Sequence, residues 1–331
     1  MAKITFIAYE QCMFSAIAGL IDAFSISNAL HQQSENRNTA GAVTLSPLFE
    51  MEIVSLGGGD LLANGGIRIQ PDRAMDEVKE TDLILIPPHL CGVQPQMDEV
   101  SRLIPWIIGH HQDHARIGAI CTGVFILAMT GLLDGKTATT NWQVIESFKR
   151  QFPHVILKPE RVLTEDGGLI CSGAITAQYN LALYVIEYFG SQQLSRGCAK
   201  VFLVDPNRNT QTPYMITTFR KTHGDREILK AQYWLEEHFS DKFTTDEVAG
   251  LVGLSPRHFK RRFNKATGEN PLRYLQQIRL ETAKNRLETT IDTIDDITQQ
   301  VGYTDSRTFR RLFKQYTALS PREYRDKFSV V

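Results

Sequence analysis

The chain has 331 residues, 42% of them hydrophobic and 22% charged, with a formal net charge of −1. That length suggests two domains with enough apolar content for two cores, and no apolar run reaches membrane-spanning length. Five cysteines, odd in number and irregularly spaced, argue against a disulfide framework or a zinc module, and with no signal peptide legible the expected location is the cytoplasm.

The first two hundred residues alternate strand-like and helix-like segments, which predicts a parallel-sheet α/β domain. Residues 3–9 read as a strand and 15–30 as a helix. The glycines between Gly57 and Gly66 lack the strand, lysine and helix order of a phosphate loop and predict a hairpin turn. Asp82–Pro87, D-L-I-L-I-P, is a buried strand, and 116–120 is another, apolar on both faces as parallel strands are. His110 and His114 stand four apart without a third ligand nearby, so polarity at a surface or helix end is expected, and no metal or cofactor. The strand at 116–120 runs straight into Cys121 in G-A-I-C-T-G-V-F, where small neighbours permit a strained nucleophile elbow and the helix that follows favours thiolate. A buried structural cysteine is the plainer alternative. Residues 174–205 read as helical, and the polar stretch 206–224 as a linker, so the expected domains are 1–205 and 225–331.

The last hundred residues carry one pattern twice. Val248, Val252, Phe259 and Phe263 match Ile297, Val301, Phe309 and Phe313, while Gly253 matches Gly302 and Pro271 matches Pro321, with one extra residue in the second turn before Asp305. Each copy reads as helix, turn, helix. Thr244 with Glu247 forms a capping box, Gly253 ends the helix, and Ser255 with Pro256 starts the next. That second helix holds Arg257, Lys260, Arg261, Arg262 and Lys265 without an acid, and its counterpart holds Arg307, Arg310, Arg311 and Lys314. Two such faces would self-repel unless they met a polyanion. Net charge hides this: from Asp225 onward 19 Lys and Arg stand against 16 Asp and Glu, and before it 17 against 21. Early side chains of a recognition helix reach base edges, which nominates Arg257, His258 and Arg261, with Lys260 close by, and then Ser306, Arg307 and Arg310. Arg311 is expected at a phosphate or in a structural contact.

Residues 228–328 resemble the DNA-binding domain of the AraC/XylS family of bacterial transcription regulators. The resemblance rests on the doubled unit, on Arg279, Leu280, Ala283 and Leu287 in a joining helix begun by Asn270 and Pro271, and on the closing Ser320, Pro321, Tyr324 and Arg325, with Glu323 completing a capping box. It implies seven helices, with two helix-turn-helix units entering successive major grooves about 34 Å apart. It also implies a homodimer on double-stranded DNA, with RNA polymerase a further partner.

Residues 3–204 resemble the ThiJ/PfpI superfamily, the class I glutamine amidotransferase-like fold, in its GlxA-type branch fused to AraC-type domains. G-L-L-D-G-K-T-A-T-T-N-W from Gly131 to Trp142 and G-L-I-D-A-F around Asp22 carry this likeness. It implies a flavodoxin-like sheet, Asp22 as a carboxylate near the Cys121 sulfur, and a pocket above both. Three positions depart from the family pattern. Asn141 stands where the branch has histidine, and an amide cannot accept a proton at neutral pH. P-P-H-L replaces P-G-G after Ile86, removing amides from an oxyanion hole, although His89 offers another base. Asn180 replaces an aspartate. The expected protein is therefore a regulator on a catalytically degenerate scaffold. Its effector would be a small nitrogenous metabolite, since relatives of this type sense amino acids or quaternary amines. Candidate ligand residues are Cys121, Asp22, Asn141, Trp142 and Phe14, with Phe125 also considered as an aromatic face for a cation. A cysteine-dependent amidase-type enzyme and a constitutive DNA-binding protein remain the competing readings.

Overall fold

The computed structural model describes residues 1–38, 46–92 and 96–331 and divides into two compact units, Met1–Gln211 and Thr212–Val331. In the first unit, among the described residues, seven strands make one sheet: β1 (Ala2–Ile7), β2 (Phe49–Ser55), β3 (Arg73–Ala74), β4 (Leu83–Ile86), β5 (Arg116–Ile120), β6 (Leu163–Asp166) and β7 (Leu169–Ser172). Their spatial order is β6-β7-β5-β4-β1-β2-β3, with only β6 antiparallel to its neighbour. Without the two edge strands this is the flavodoxin-like order, whose connections reverse direction between β1 and β4. Ligand crevices in such sheets lie at the carboxyl ends of the strands flanking that reversal. Here those ends are Tyr9, Pro87–His89 and, one strand further, Cys121.

Burial explains why the sheet forms. All four residues of β4 are at 0% exposure and its neighbours β1 and β5 are nearly as dry. Each such aliphatic side chain contributes roughly 1.5–3 kcal/mol over leaving it in water. Helix α1 (Phe14–Asn38) packs with α5 (Gln178–Phe189) and α6 (Gln192–Phe202), and α2 (Met97–Gln112) with α3 (Gly123–Met129), while the short α4 (Ile145–Gln151) follows the turn at Trp142. The single helical run read over 174–205 is two helices, because Gly190 ends α5 and the Ser191 hydroxyl caps α6 through the Leu194 amide at 3.1 Å. Leu61–Leu62 pairs antiparallel with Arg68–Ile69, so the glycine-rich stretch does make a hairpin.

The second unit holds seven helices among the described residues: α7 (Arg226–Glu237), α8 (Thr245–Leu251), α9 (Pro256–Thr267), α10 (Pro271–Thr289), α11 (Ile294–Gln300), α12 (Ser306–Thr317) and α13 (Pro321–Phe328). They enclose two separate cores, and α10 serves both. Its Tyr274, Leu275 and Ile278 join Phe259 and Phe263, while its Leu280, Ala283 and Leu287 join Phe309 and Phe313. The segment 206–224, read as a linker, is packed on both sides of the boundary. Arg208 donates to Asn180 Oδ1 at 2.7 Å and buried Gln211 to Pro159 O at 2.7 Å in the first unit. The Thr217 amide donates to Glu281 at 3.0 Å, and the Phe219 ring sits 4.8 Å from Tyr274, in the second.

Candidate DNA interface and elbow site

The elbow is built by strain and close approach. Cys121 has φ of +55°, in the left-handed region that costs a non-glycine residue roughly 1–2 kcal/mol. Gly123 follows because a Cβ there would lie 2.7 Å from Pro87 O and 2.8 Å from Ile86 O. Thr122 is fastened to the neighbouring strand end: the His89 amide donates to its hydroxyl at 2.9 Å, and that hydroxyl donates to His89 O at 2.6 Å. The Thr140 hydroxyl donates to Cys121 O at 2.7 Å.

Asn141 does reach Cys121. Its Oδ1 accepts the Gln143 amide at 2.9 Å, which turns its Nδ2 toward the sulfur, 3.3 Å away. The amide is therefore a donor to Cys121, able to favour thiolate but not to receive a proton. Trp142, next on the same turn, is half-buried, as is Phe14 at the start of α1. Phe125 belongs to a ring cluster with Phe148 and Phe152, at 5.0 and 5.8 Å, so it is core.

Asp22 does not stand near the sulfur. It lies two turns into α1 and is exposed, and the groups that act on Cys121 are Cys91, Asn141 and the Thr122 backbone. The half-buried carboxyl of this region is instead Glu99 of α2, which accepts the Glu10 amide at 3.2 Å and is pushed up by burial. His89 is 8% exposed, its Nδ1 is 3.5 Å from the Tyr9 hydroxyl, and burial lowers its pKa, so it is neither solvated nor easily protonated. Reading the sequence overlooked Cys91. The influence of Cys121 lowers the Cys91 thiol, while the influence of Cys91 and then burial raise Cys121. The only signal for Cys91 was position, two residues after the histidine that closes the β4 loop. His110 lies in the last turn of α2, at the helix end as expected, and is buried at 9% against Trp106; among the described residues no cluster could hold a metal.

In the second unit both turns form as the repeat requires. The Thr244–Glu247 capping box is complete, and so are Thr293–Asp296 and Ser320–Glu323. Gly253 and Gly302 take φ of +68° and +81°; a Cβ at Gly302 would lie 2.8 Å from Ser240 O. On α9, Phe259 and Phe263 are fully buried with rings 5.4 Å apart, and Arg257, His258, Lys260 and Arg261 are exposed. On α12, Phe309 and Phe313 repeat this at 5.6 Å, leaving Arg307, Arg310 and Arg311 exposed and Ser306 half-buried.

Not every basic side chain faces outward free. Arg262 turns back to α7, donating to Asp225 at 2.7 and 2.9 Å and to Glu227 at 2.8 Å; it holds the Asp225 carboxyl below its usual range, and that of Glu227 is lowered by its own backbone amide first and Arg262 second. Lys260 pairs with Asp246 at 3.5 Å, and at the matching place in the second copy Arg310 pairs with Asp295 at 3.3 Å. Ser306 donates to the same Asp295 oxygen at 2.8 Å and accepts Arg310 Nε at 3.2 Å. Each unit therefore straps one basic residue to the first turn of its preceding helix.

A helix-turn-helix domain family matches residues 248–327, and the DJ-1/PfpI family matches residues 40–188. The chain is 25% identical over 308 residues to the HTH-type transcriptional regulator GbdR of Pseudomonas aeruginosa, covering 92% of this chain and 82% of that one. It is 23% identical over 288 residues to the HTH-type transcriptional regulator GlxA of Rhizobium meliloti, covering 85% and 88%. A crystal structure of a transcriptional regulator protein from Vibrio parahaemolyticus superposes with a TM-score of 0.51 at 21% identity, over 61% of this chain and 98% of that one, a likeness of fold. The chain is a transcription regulator with a helix-turn-helix DNA-binding domain. It is of the AraC type and carries a DJ-1/PfpI-family domain ahead of those helices.

Proposed function

We propose that this regulator reads its operator through α9 and α12 and that a small nitrogenous metabolite, held without turnover in the crevice beside Cys121, sets how well it does so. Arg257, His258 and Arg261 of α9 and Ser306, Arg307 and Arg310 of α12 are the base-reading side chains. Arg311 contacts a phosphate, and Lys260, Ser306 and Arg310 act from their straps to Asp246 and Asp295. The two helices enter successive major grooves about 34 Å apart, and a dimer occupies tandem sites.

The single observation that carries the sensing half is the orientation of Asn141. With its oxygen taken by the Gln143 amide, the group facing the elbow sulfur is an N–H donor at 3.3 Å, where nucleophilic chemistry would need a base. Cysteine hydrolysis is thereby disfavoured, while Thr122, Thr140 and Asn141 keep polar groups around Cys121. Trp142 and Phe14, both half-buried, offer aromatic faces to a cationic nitrogen.

The test is operator affinity of the full chain, measured by fluorescence anisotropy across a panel of amino acids and quaternary amines. One member is expected to shift the dissociation constant by roughly 5- to 150-fold, the range of typical coupling energies. No shift across the panel would favour a constitutive binder. Turnover of an amide or ester lost in Cys121→Ala would favour the enzyme.

A further inference from the structure

Gly253 and Gly302 hold the same place in the two turns, and both take a positive φ, yet an added Cβ would fare differently at each. At Gly253 it would meet nothing within 4 Å among the described residues; at Gly302 it would lie 2.8 Å from Ser240 O and 2.9 Å from Arg279 Nη2. The second turn is therefore pressed against the loop between α7 and α8, which leads into the first helix-turn-helix unit. Arg279, near the middle of α10, fastens that contact. Its Nε donates to Phe239 O at 2.7 Å and its Nη2 to Asp241 O at 3.2 Å, while its guanidinium carbon lies 5.4 Å from the centre of the Tyr303 ring, next to Gly302. The half-buried Phe239 side chain packs against both cores.

On the reading that α9 and α12 enter successive major grooves, we propose that Arg279 is a positioning residue. It braces the α7–α8 loop against the turn between α11 and α12, and so sets the separation of the two recognition helices and the operator spacing they accept. Two units threaded on one helix can each roll about its axis, because α10 joins both cores along a single line. A third contact away from that line removes the freedom. The braced loop delivers the chain to Thr245 at the start of α8, and Tyr303 stands three residues before Ser306 at the start of α12. Movement at either end of the brace is passed on to a recognition unit.

Arginine suits this place. Its planar fork presents donors in fixed directions to two carbonyls while its face meets a ring, whereas a lysine ammonium is a point charge that does not hold all three. Gly302 is the complement, since the missing side chain is what lets Ser240 come close. One base pair is about 3.4 Å along the duplex and roughly one-tenth of a turn, so a recognition helix displaced by one or two pairs loses its base edges.

The full chain selects a duplex from a randomised pool, and that duplex is remade with its two blocks moved closer or further apart by one and two base pairs. Fluorescence anisotropy gives the ratio of affinities for the selected and displaced forms. The parent should lose about tenfold or more on a two-pair displacement, the order of one or two lost base contacts. Arg279→Lys keeps the charge and the stem but not the fork, and Gly302→Ala pries the loop away; each should lose less than about threefold. Gly253→Ala carries the same left-handed strain without the close neighbours and should keep the parent's ratio. Hydrogen exchange should quicken at 239–241 and 302–304 in the first two variants and not in the third. The parent's ratio kept by Arg279→Lys, or lost equally in Gly253→Ala, would overturn the brace and leave the two-groove reading standing. A parent indifferent to displacement would contradict that reading, and the brace with it.

Discussion

The two helix-turn-helix units share a core and differ at their edges. Phe259, Phe263 and Tyr274 of the first stand where Phe309, Phe313 and Tyr324 stand in the second, with Phe-to-Tyr ring distances of 5.2 and 5.4 Å. Each tyrosine donates to a glutamate three helices back, Tyr274 to Glu236 of α7 at 2.9 Å and Tyr324 to Glu288 of α10 at 2.6 Å. The differences fall at the ends of the recognition helices and on their outward faces. Arg262 is tied to α7, but its counterpart is Leu312. The Ser255 side chain makes no capping bond, whereas Asp305 accepts the Arg307 and Thr308 amides at 3.2 and 3.0 Å. At the far end Gly268 turns left-handed at φ +83°, and Ala318 must do so at +63°. A common core with unlike faces is what reading two different half-sites requires.

That comparison can be broken or sharpened by substitution, taking the largest effect first. Phe309→Ala should cost roughly 3–5 kcal/mol and unfold the second unit ahead of the first, because the two aromatic cores are separate. Hydrogen exchange resolved by helix checks this, and equal loss of protection in α8–α9 would mean that the cores are one. Gly268→Ala should destabilise by about 1–2 kcal/mol, making the first unit resemble the second, whereas Ala318→Gly should gain up to about 1 kcal/mol; chemical denaturation measures both. The smallest effect is expected of Asp295→Ala. It frees Arg310 and Ser306 together and removes a negative charge from the DNA side, so affinity for any sequence should rise slightly while discrimination falls. Unaltered discrimination would mean that the strap does not position Arg310 for reading.

What could be read in the sequence tracks repetition and periodicity. The paired phenylalanines, the turn glycines and the capping boxes are local and doubled, so the helical unit was legible almost residue by residue. The four-residue apolar run of β4 was equally plain. β2 was not, since its F-E-M-E-I-V-S mixes charged and apolar side chains at the outer side of the sheet, and β3 is only two residues long. The elbow was visible as small residues around Cys121, but its neighbours were not. Cys91 is 30 positions away in sequence and Asn141 is 20, and their meeting depends on the order of the strands. Asp22 misled because a motif gives residue identity without helical phase: on α1 that position turns outward. Side-chain partners across helices, such as Asp225 with Arg262, could not be seen from a basic run alone.

The central claim is that two helices read two separate stretches of DNA. Selection of bound duplexes from a randomised pool, with the parent chain, Arg257→Ala and Arg307→Ala, tests it most directly. The parent should recover two conserved blocks about one helical turn apart; Arg257→Ala should blur one block and Arg307→Ala the other, each losing roughly 1–3 kcal/mol of discrimination there. If both variants instead bind every sequence more weakly and leave both blocks intact, the arginines contact phosphate and the assignment of readers is contradicted.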